Sequence, residues 1–223
     1  MSVVKDRLSP FFIAVVTVIC VTAGIIVIVA SCTAKKLTFE TEFYFVCYSI
    51  EDNAVSAGSI SDAVSSFGGA GYVLEYGGAY YVTVSCYYRQ SDADKVCESL
   101  KRRELDCQVL KIETSEYPLS FTSNANLYLG NLNTLQSLSR IAYDCANKLD
   151  TGEYGQNQAK TVVINIESGI KGLLNSNSDN CFTPYLRALT AICDDAKDGI
   201  IFSKHLRKLQ IAMADAIINV KLI

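Results

Sequence analysis

The centre of the fold is encoded by residues 72–87, YVLEYGGAYYVTVSCY. The runs on both sides of Gly77-Gly78 are rich in aromatic and β-branched residues, which favour strands. Both glycines can adopt a positive φ, so the pair predicts a two-residue β-hairpin between the runs. Two antiparallel strands, Tyr72–Tyr76 and Tyr80–Tyr87, are therefore expected on either side of the turn.

An amphipathic helix is expected on each side of this hairpin. The apolar residues recur at i, i+3, i+4 and i+7, and they are Ile60, Ala63, Val64 and Phe67 in the first helix and Ala93, Val96, Cys97 and Leu100 in the second. That spacing lines one face of a helix. Strand-type runs at residues 43–50 and 108–112 flank the helices. The order β-α-β-β-α-β predicts a split βαβ (ferredoxin-like) module with helices on one sheet face and the other face open.

Strand phase assigns side chains to the two sheet faces, because successive residues of a strand point in opposite directions. The wholly apolar sets, Phe43, Phe45 and Cys47 with Val82 and Val84, are expected to meet the helices. The remaining residues would line the open face and form the candidate ligand-binding site: Tyr44, Val46, Tyr48, Tyr81, Thr83 and Ser85. Tyrosines on such a face can stack on sugar or peptide and donate hydrogen bonds. Alternatively, they are only good strand formers, or the C-terminal helices cover them.

The C-terminal half is predicted to be an antiparallel bundle of about four helices, residues 122–223. Four apolar stripes with helical spacing follow one another, for example Leu132, Leu135, Leu138 and Ala142 in the first. Tyr117-Pro118-Leu119-Ser120 interrupts the strand pattern, so residues 114–121 are expected to be a linker. The fold class is therefore α+β, and a protein partner is possible for the bundle.

Residues 11–30, FFIAVVTVICVTAGIIVIVA, carry no charge. As a helix they would span about 30 Å, the thickness of a bilayer's hydrocarbon core. We expect a transmembrane signal-anchor at 11–31, a cytoplasmic stub at 1–10, a juxtamembrane linker at 32–39 and the remaining chain outside a single-pass cell membrane. A cleaved signal peptide, or a lipoprotein signal ending at Cys32, remains an alternative.

Several functional classes are disfavoured by composition. The net charge is −3 and no basic block occurs, so nucleic acid is not an expected partner. His205 is the only histidine, and the phosphate-loop, G-x-S-x-G and H-E-x-x-H motifs are missing from the sequence, so we expect a non-enzyme without catalytic residues, metal or cofactor. The nine cysteines show no C-x-x-C pair, and most are expected to be buried free thiols.

Residues 40–113 resemble the SPOR domain, a peptidoglycan-binding module of bacterial division and sporulation proteins. The family pattern runs roughly y-V-Q-v-G-s-F, helix, y-R-V-r-v-G-p-f, second helix, final strand. Residues 44–50, YFVCYSI, correspond to the first motif, and residues 80–87, YYVTVSCY, to the second. This resemblance implies that the open sheet face holds glycan strands stripped of their stem peptides.

The departures from the family pattern leave two functions open. The family glutamine is Val46 here, its arginine is Tyr81, and its two glycines are Tyr48 and Ser85. The first hypothesis is a non-catalytic, membrane-anchored, extracytoplasmic protein that binds peptidoglycan glycan strands during cell division or sporulation. The second is a membrane-anchored interaction or scaffold component whose SPOR-like module no longer binds glycan.

Overall fold

The computed structural model describes residues 35–119, 124–176 and 181–222, which form four strands and six helices. The strands are β1 (Lys35–Glu51), β2 (Tyr72–Tyr76), β3 (Ala79–Tyr87) and β4 (Gln108–Leu119). The helices are α1 (Ala54–Ser66), α2 (Gln90–Lys101), α3 (Ala125–Asp150), α4 (Gln156–Ser176), α5 (Thr183–Lys197) and α6 (Ser203–Asn219). The predicted order β-α-β-β-α-β, followed by four helices, is confirmed.

The four strands form one antiparallel sheet in the order β2-β3-β1-β4. Gly77 and Gly78 close the β2–β3 hairpin with φ values of 61° and 83°, as the Gly-Gly pair predicts. Helices α1 and α2 pack on one face, which we call the α1/α2 face. Its core contains Val64, Val82 and Val84, with Phe67 partly buried at its margin.

Helices α3 and α6 cover the opposite face of the sheet, which we call the bundle face, and α4 and α5 pack on these two helices. A single apolar core runs from β1 through α3 into the rest of the bundle, including Phe43, Phe45, Leu132 and Met213. Within that core, α6 is buried along most of its length. The sheet therefore has helices on both sides, and the module and the bundle share one interior.

No helix in the described parts of the chain has both the length and the apolar composition needed to cross a bilayer. The predicted transmembrane helix, 11–31, and the stub before it lie outside the described residues. The predicted fold class, which included a transmembrane helix, and the predicted single-pass membrane localisation are therefore corrected. The architecture that the structure supports is an α+β fold, with a four-stranded antiparallel sheet and six described helices.

The first and last strands are longer than the sequence pattern suggests. β1 begins at Lys35, within the predicted linker 32–39, and β4 continues to Leu119 through the predicted linker 114–121. Pro118 pairs in register with Lys36. Proline has no N–H to donate, and it is tolerated here because β4 is an edge strand.

Two of the expected free thiols are instead joined. Cys97 of α2 and Cys107, just before β4, form a disulfide across ten residues. The prediction of free thiols is therefore wrong for this pair, because the end of α2 and the start of β4 are brought to a Cα–Cα distance of 5.5 Å. Cys47, Cys86, Cys145 and Cys193 are free and buried, as expected, and Cys181 is free and half-buried.

Candidate functional site

The sheet face that was expected to be open is covered by α3 and α6. The Gln210 side chain, fully buried on α6, donates from Nε2 to the carbonyl of Cys86 in β3 at 3.0 Å. The hydroxyl of Tyr117 in β4 donates to the Ile217 carbonyl at 2.7 Å. Hydrogen bonds involving the inner strand β3 and the edge strand β4 thus hold the bundle in place, and no ligand could reach the middle of this face without displacing α6.

The six predicted site residues do not share one face. Tyr44, Val46 and Tyr48 belong to the core on the α1/α2 face, and Ser85 is the register partner of Val46. Tyr81 packs against the bundle core, and Thr83 pairs with Cys47, which belongs to that core. Val46 and Thr83 have no exposed surface, Ser85 is 2% exposed and Tyr44 6%. The expectation that these residues form one exposed surface is corrected, and ligand binding by them stays an untested prediction.

The physical reason is that residues 43–47 of β1 are buried on both sides of the sheet. Phase can be inferred from a strand when one face is polar, but both faces of this segment are apolar. Phe43, Phe45 and Cys47 were expected to meet α1 and α2, and this prediction is wrong, because they pack in the core on the bundle face. Register shifts near Cys47 and Ser49 add a second disturbance, because an extra residue in one strand rotates the side chains that follow it.

A first groove remains open where the β2–β3 hairpin meets the end of α6. It has a volume of about 370 Å³ and is lined by Glu75, Tyr76, Gly77, Gly78, Tyr185, Asp215, Asn219 and Lys221. The Asp215 carboxylate accepts hydrogen bonds from Tyr72 Oη and Asn219 Nδ2, both at 2.5 Å. Burial raises the pKa of Asp215 despite these bonds. The Tyr72–Asp215 hydrogen bond thus attaches the hairpin to α6 beside this hairpin groove.

A second groove, of about 340 Å³, lies where the end of β3 and the start of α2 approach α3. We call it the tyrosine–arginine groove, and its lining is Tyr88, Arg89, Asp92, Arg140, Tyr143 and Asp144. The Arg140 guanidinium lies over the Tyr88 ring, 4.5 Å from its centroid. The Tyr88 hydroxyl is 2.7 Å from Ser139 Oγ, and burial raises the pKa of this phenol. Arg89, Arg140 and Asp144 are exposed, whereas the Tyr88 and Tyr143 rings are half-buried at the base of the groove.

The residues of the second groove were missed by sequence reasoning, although two signals exist. Tyr88 and Arg89 directly follow a strand, and Arg140, Tyr143 and Asp144 have the i, i+3, i+4 spacing of one helix face. Neither signal shows that the two segments meet, because the contact joins the module to the bundle. Only the packing of α3 beside the sheet brings them together.

Comparisons with known proteins add little beyond these observations. No family model matches the chain, and no curated protein matches it. One similar solved structure is the solution structure of the peptidoglycan binding domain of B. subtilis cell wall lytic enzyme CwlC. It shares 21% identity, covers 32% of this chain and 91% of its own, and superposes with a TM-score of 0.29. At that level of similarity the ligand of this neighbour is not transferred to the chain.

Proposed function

We propose that this protein is a non-catalytic peptidoglycan-binding protein that holds glycan strands at the tyrosine–arginine groove, beside its sheet. The observation that carries the proposal is the contrast between a buried sheet face and an open groove lined by two tyrosines and four charged residues. The resemblance of residues 40–113 to the SPOR domain supports the ligand class. The same resemblance supports a role in cell division or sporulation.

The composition of the groove suits a saccharide. Sugars present apolar ring faces that pack on aromatic side chains, and hydroxyls that bond to charged groups. Tyr143 is half-buried at the groove, and Asp92 and Asp144 supply carboxylate acceptors. A hydrogen bond to a charged group contributes about 1.5–3 kcal/mol, so a few such contacts are enough for measurable binding.

Co-sedimentation with purified sacculi tests this function. The full-length chain is incubated with sacculi before and after amidase treatment, and the pelleted fraction is measured against protein concentration. We expect saturable pelleting that is lost in a Tyr143→Ala, Arg89→Ala double variant. The matched control is Arg187→Ala, which removes an exposed arginine from α5, away from the groove. Pelleting no greater than that of an unrelated acidic protein, with both preparations, would contradict the proposal.

A scaffold role is the second candidate, and the covered bundle face favours it. A module whose bundle face is permanently covered by helices cannot bind glycan on that face, and it would serve as a structural component instead. Ile200 and Phe202, between α5 and the body of α6, are 62% and 54% exposed and offer apolar surface to a protein partner. Failure to bind either sacculus preparation, with an intact cooperative melt, would favour this function over the first.

A further inference from the structure

The tyrosine–arginine groove holds charged groups of both signs that are not paired with each other. Among the residues that the structure describes, neither Arg89 nor Arg140 has a carboxylate oxygen within 4.0 Å, and Asp144 has no lysine or arginine nitrogen within that distance. Asp92 is 3.4 Å from Lys95, but a pair of exposed side chains contributes little. The groove therefore offers two cations and two anions to a ligand.

Arg140 is held by aromatic rings rather than by Asp144. The two residues are four positions apart on α3, close enough in a helix for their side chains to pair. Instead, the Arg140 guanidinium lies over the Tyr88 ring, 4.5 Å from its centroid, and that ring contacts the Ser139 hydroxyl and the Tyr143 ring. A stacked guanidinium keeps its in-plane N–H donors free, and those donors match the two oxygens of a carboxylate. Arg140 is thus ordered for an anionic group before any ligand binds.

The Asp144 carboxylate lies one helical turn from this arginine and suits a ligand group of the opposite charge. Asp144 is exposed, and a carboxylate forms charge-assisted hydrogen bonds with an ammonium. A polyanion would be repelled by Asp92 and Asp144, whereas a ligand with a carboxylate and an ammonium a few bonds apart would satisfy both signs of charge. We infer that the groove binds a short zwitterionic peptide, with its carboxylate on Arg140 and its ammonium on Asp144.

This inference rests on the proposed function, because it names the part of peptidoglycan that the charged groups of the groove contact. Stem peptides carry both charges, since they contain an acidic residue and a diamino acid with an ammonium group. An amidase removes that ammonium with the peptide, and cross-linking converts it to an amide. The groove is therefore selective for glycan strands that bear uncross-linked peptides, with the Tyr143 ring left for the sugar. This selectivity is the reverse of the one that the SPOR resemblance implies.

Titration calorimetry with soluble glycan strands tests the ammonium contact on the full-length chain. The probes are endopeptidase-treated strands with uncross-linked peptides, the same strands after acetylation of their ammonium groups, and the same strands stripped by an amidase. We expect the wild type to bind the peptide-bearing strands about tenfold more tightly than either other form, a difference of about 1.4 kcal/mol. Asp144→Asn should bind the untreated and the acetylated strands within about twofold of each other.

The Arg140 contact is tested in the same way, with strands whose peptide carboxylates have been converted to amides. This change should weaken binding to the wild type about tenfold, and binding to Arg140→Gln by less than about twofold. Each variant should lose its sensitivity to one chemical group only, which separates a direct contact from a general loss of structure.

Asp62→Asn on α1 and Arg187→Gln on α5 provide the controls, since they make the same changes at exposed positions outside the groove. Both should keep the wild-type pattern. Equal or tighter binding of stripped strands by the wild type, or unchanged sensitivity in Asp144→Asn or Arg140→Gln, would overturn the zwitterion inference while glycan binding stands. Failure of the wild type to bind any strand form would contradict the proposed function itself.

Discussion

Val46 and Phe45 are adjacent in β1, and neither has any exposed surface. Val46 packs in the α1/α2 core and Phe45 in the bundle core. Because neighbouring strand residues point to opposite faces, both sides of the sheet exclude water at this point. Each side chain therefore contributes to stability separately, through a different layer of the molecule.

Val46→Ala is expected to lower the free energy of unfolding by about 1–3 kcal/mol, since it removes two buried methyl groups and leaves a small cavity. Urea denaturation followed by circular dichroism measures the change. The matched control is Val55→Ala, because Val55 is 82% exposed and its truncation should change stability by less than about 0.5 kcal/mol. Similar small effects for both variants would mean that the α1/α2 core does not enclose Val46.

At the scale of elements, the connection from α1 to β2 depends on Gly71. Its φ is +56°, and a Cβ there would lie 2.5 Å from the Ser61 carbonyl oxygen. Gly77 in the hairpin has a similar φ of +61°, but a Cβ there would meet nothing within 4 Å. Comparing substitutions at the two glycines therefore separates the cost of backbone strain from the cost of steric overlap.

Gly77→Ala should cost about 1–2 kcal/mol of stability, the price of the left-handed conformation alone. Gly71→Ala should cost at least about 1 kcal/mol more, because α1 or β2 must shift to relieve the overlap. Thermal and urea denaturation of the two variants measure the difference. Equal losses would show that the approach of α1 to residue 71 is not tight.

Helices α4 and α5 are joined by an ionic cluster around Glu167, whose side chain is only 7% exposed. Its carboxylate pairs with Lys171 on α4 and with Lys197 on α5, the latter at 2.5 Å. Hydrogen bonds from Lys171 and then Lys197 lower the pKa of Glu167 below its ordinary value of 4.5. A lowered folded-state pKa contributes stability that is fully present above the ordinary value and is lost as pH falls through the lowered one.

Glu167→Gln should therefore flatten the dependence of unfolding free energy on pH in the acid range, below about 4.5, where the wild type loses this contribution. Urea denaturation at a series of pH values measures the slope. Glu153→Gln is the control, because Glu153 pairs with Lys148 but its side chain is 60% exposed. A slope in Glu167→Gln identical to that of wild type would show that the ionic cluster does not contribute to the pH dependence of stability.

Most of these elements could be predicted from the sequence, because their signals are local. Gly77-Gly78, the apolar spacing of α1 and α2 and the stripes of α3–α6 depend on residues a few positions apart. The extension of β4 through Pro118 could not, because it depends on pairing with residues near Lys36. The candidate site was also not predictable, since Arg140 reaches Tyr88 only through packing between distant segments.

At the scale of the whole molecule, the sheet and the bundle share one core, so the module alone would expose a large apolar surface. A fragment of residues 38–116 would uncover Phe43, Phe45, Leu74 and Ile112, each at most 1% exposed in the full fold. We expect this fragment to aggregate or to melt far below the full chain, with increased binding of a hydrophobic dye. A cooperative melt equal to that of residues 35–222 would show that the bundle is dispensable.

The sequence by itself determined the order of elements, the hairpin turn and the helical character of the C-terminal half, since propensity and periodicity act over short distances. The tertiary structure alone decided which face of β1 meets which partner, that Cys97 joins Cys107, and that the bundle closes the sheet face. The reason is that residues 43–47 of β1, which were used to assign the faces, are buried on both sides and carry no polar face to indicate their orientation. The position of the candidate groove follows from that closure, because α3 must lie beside the sheet before Arg140 can stack on Tyr88.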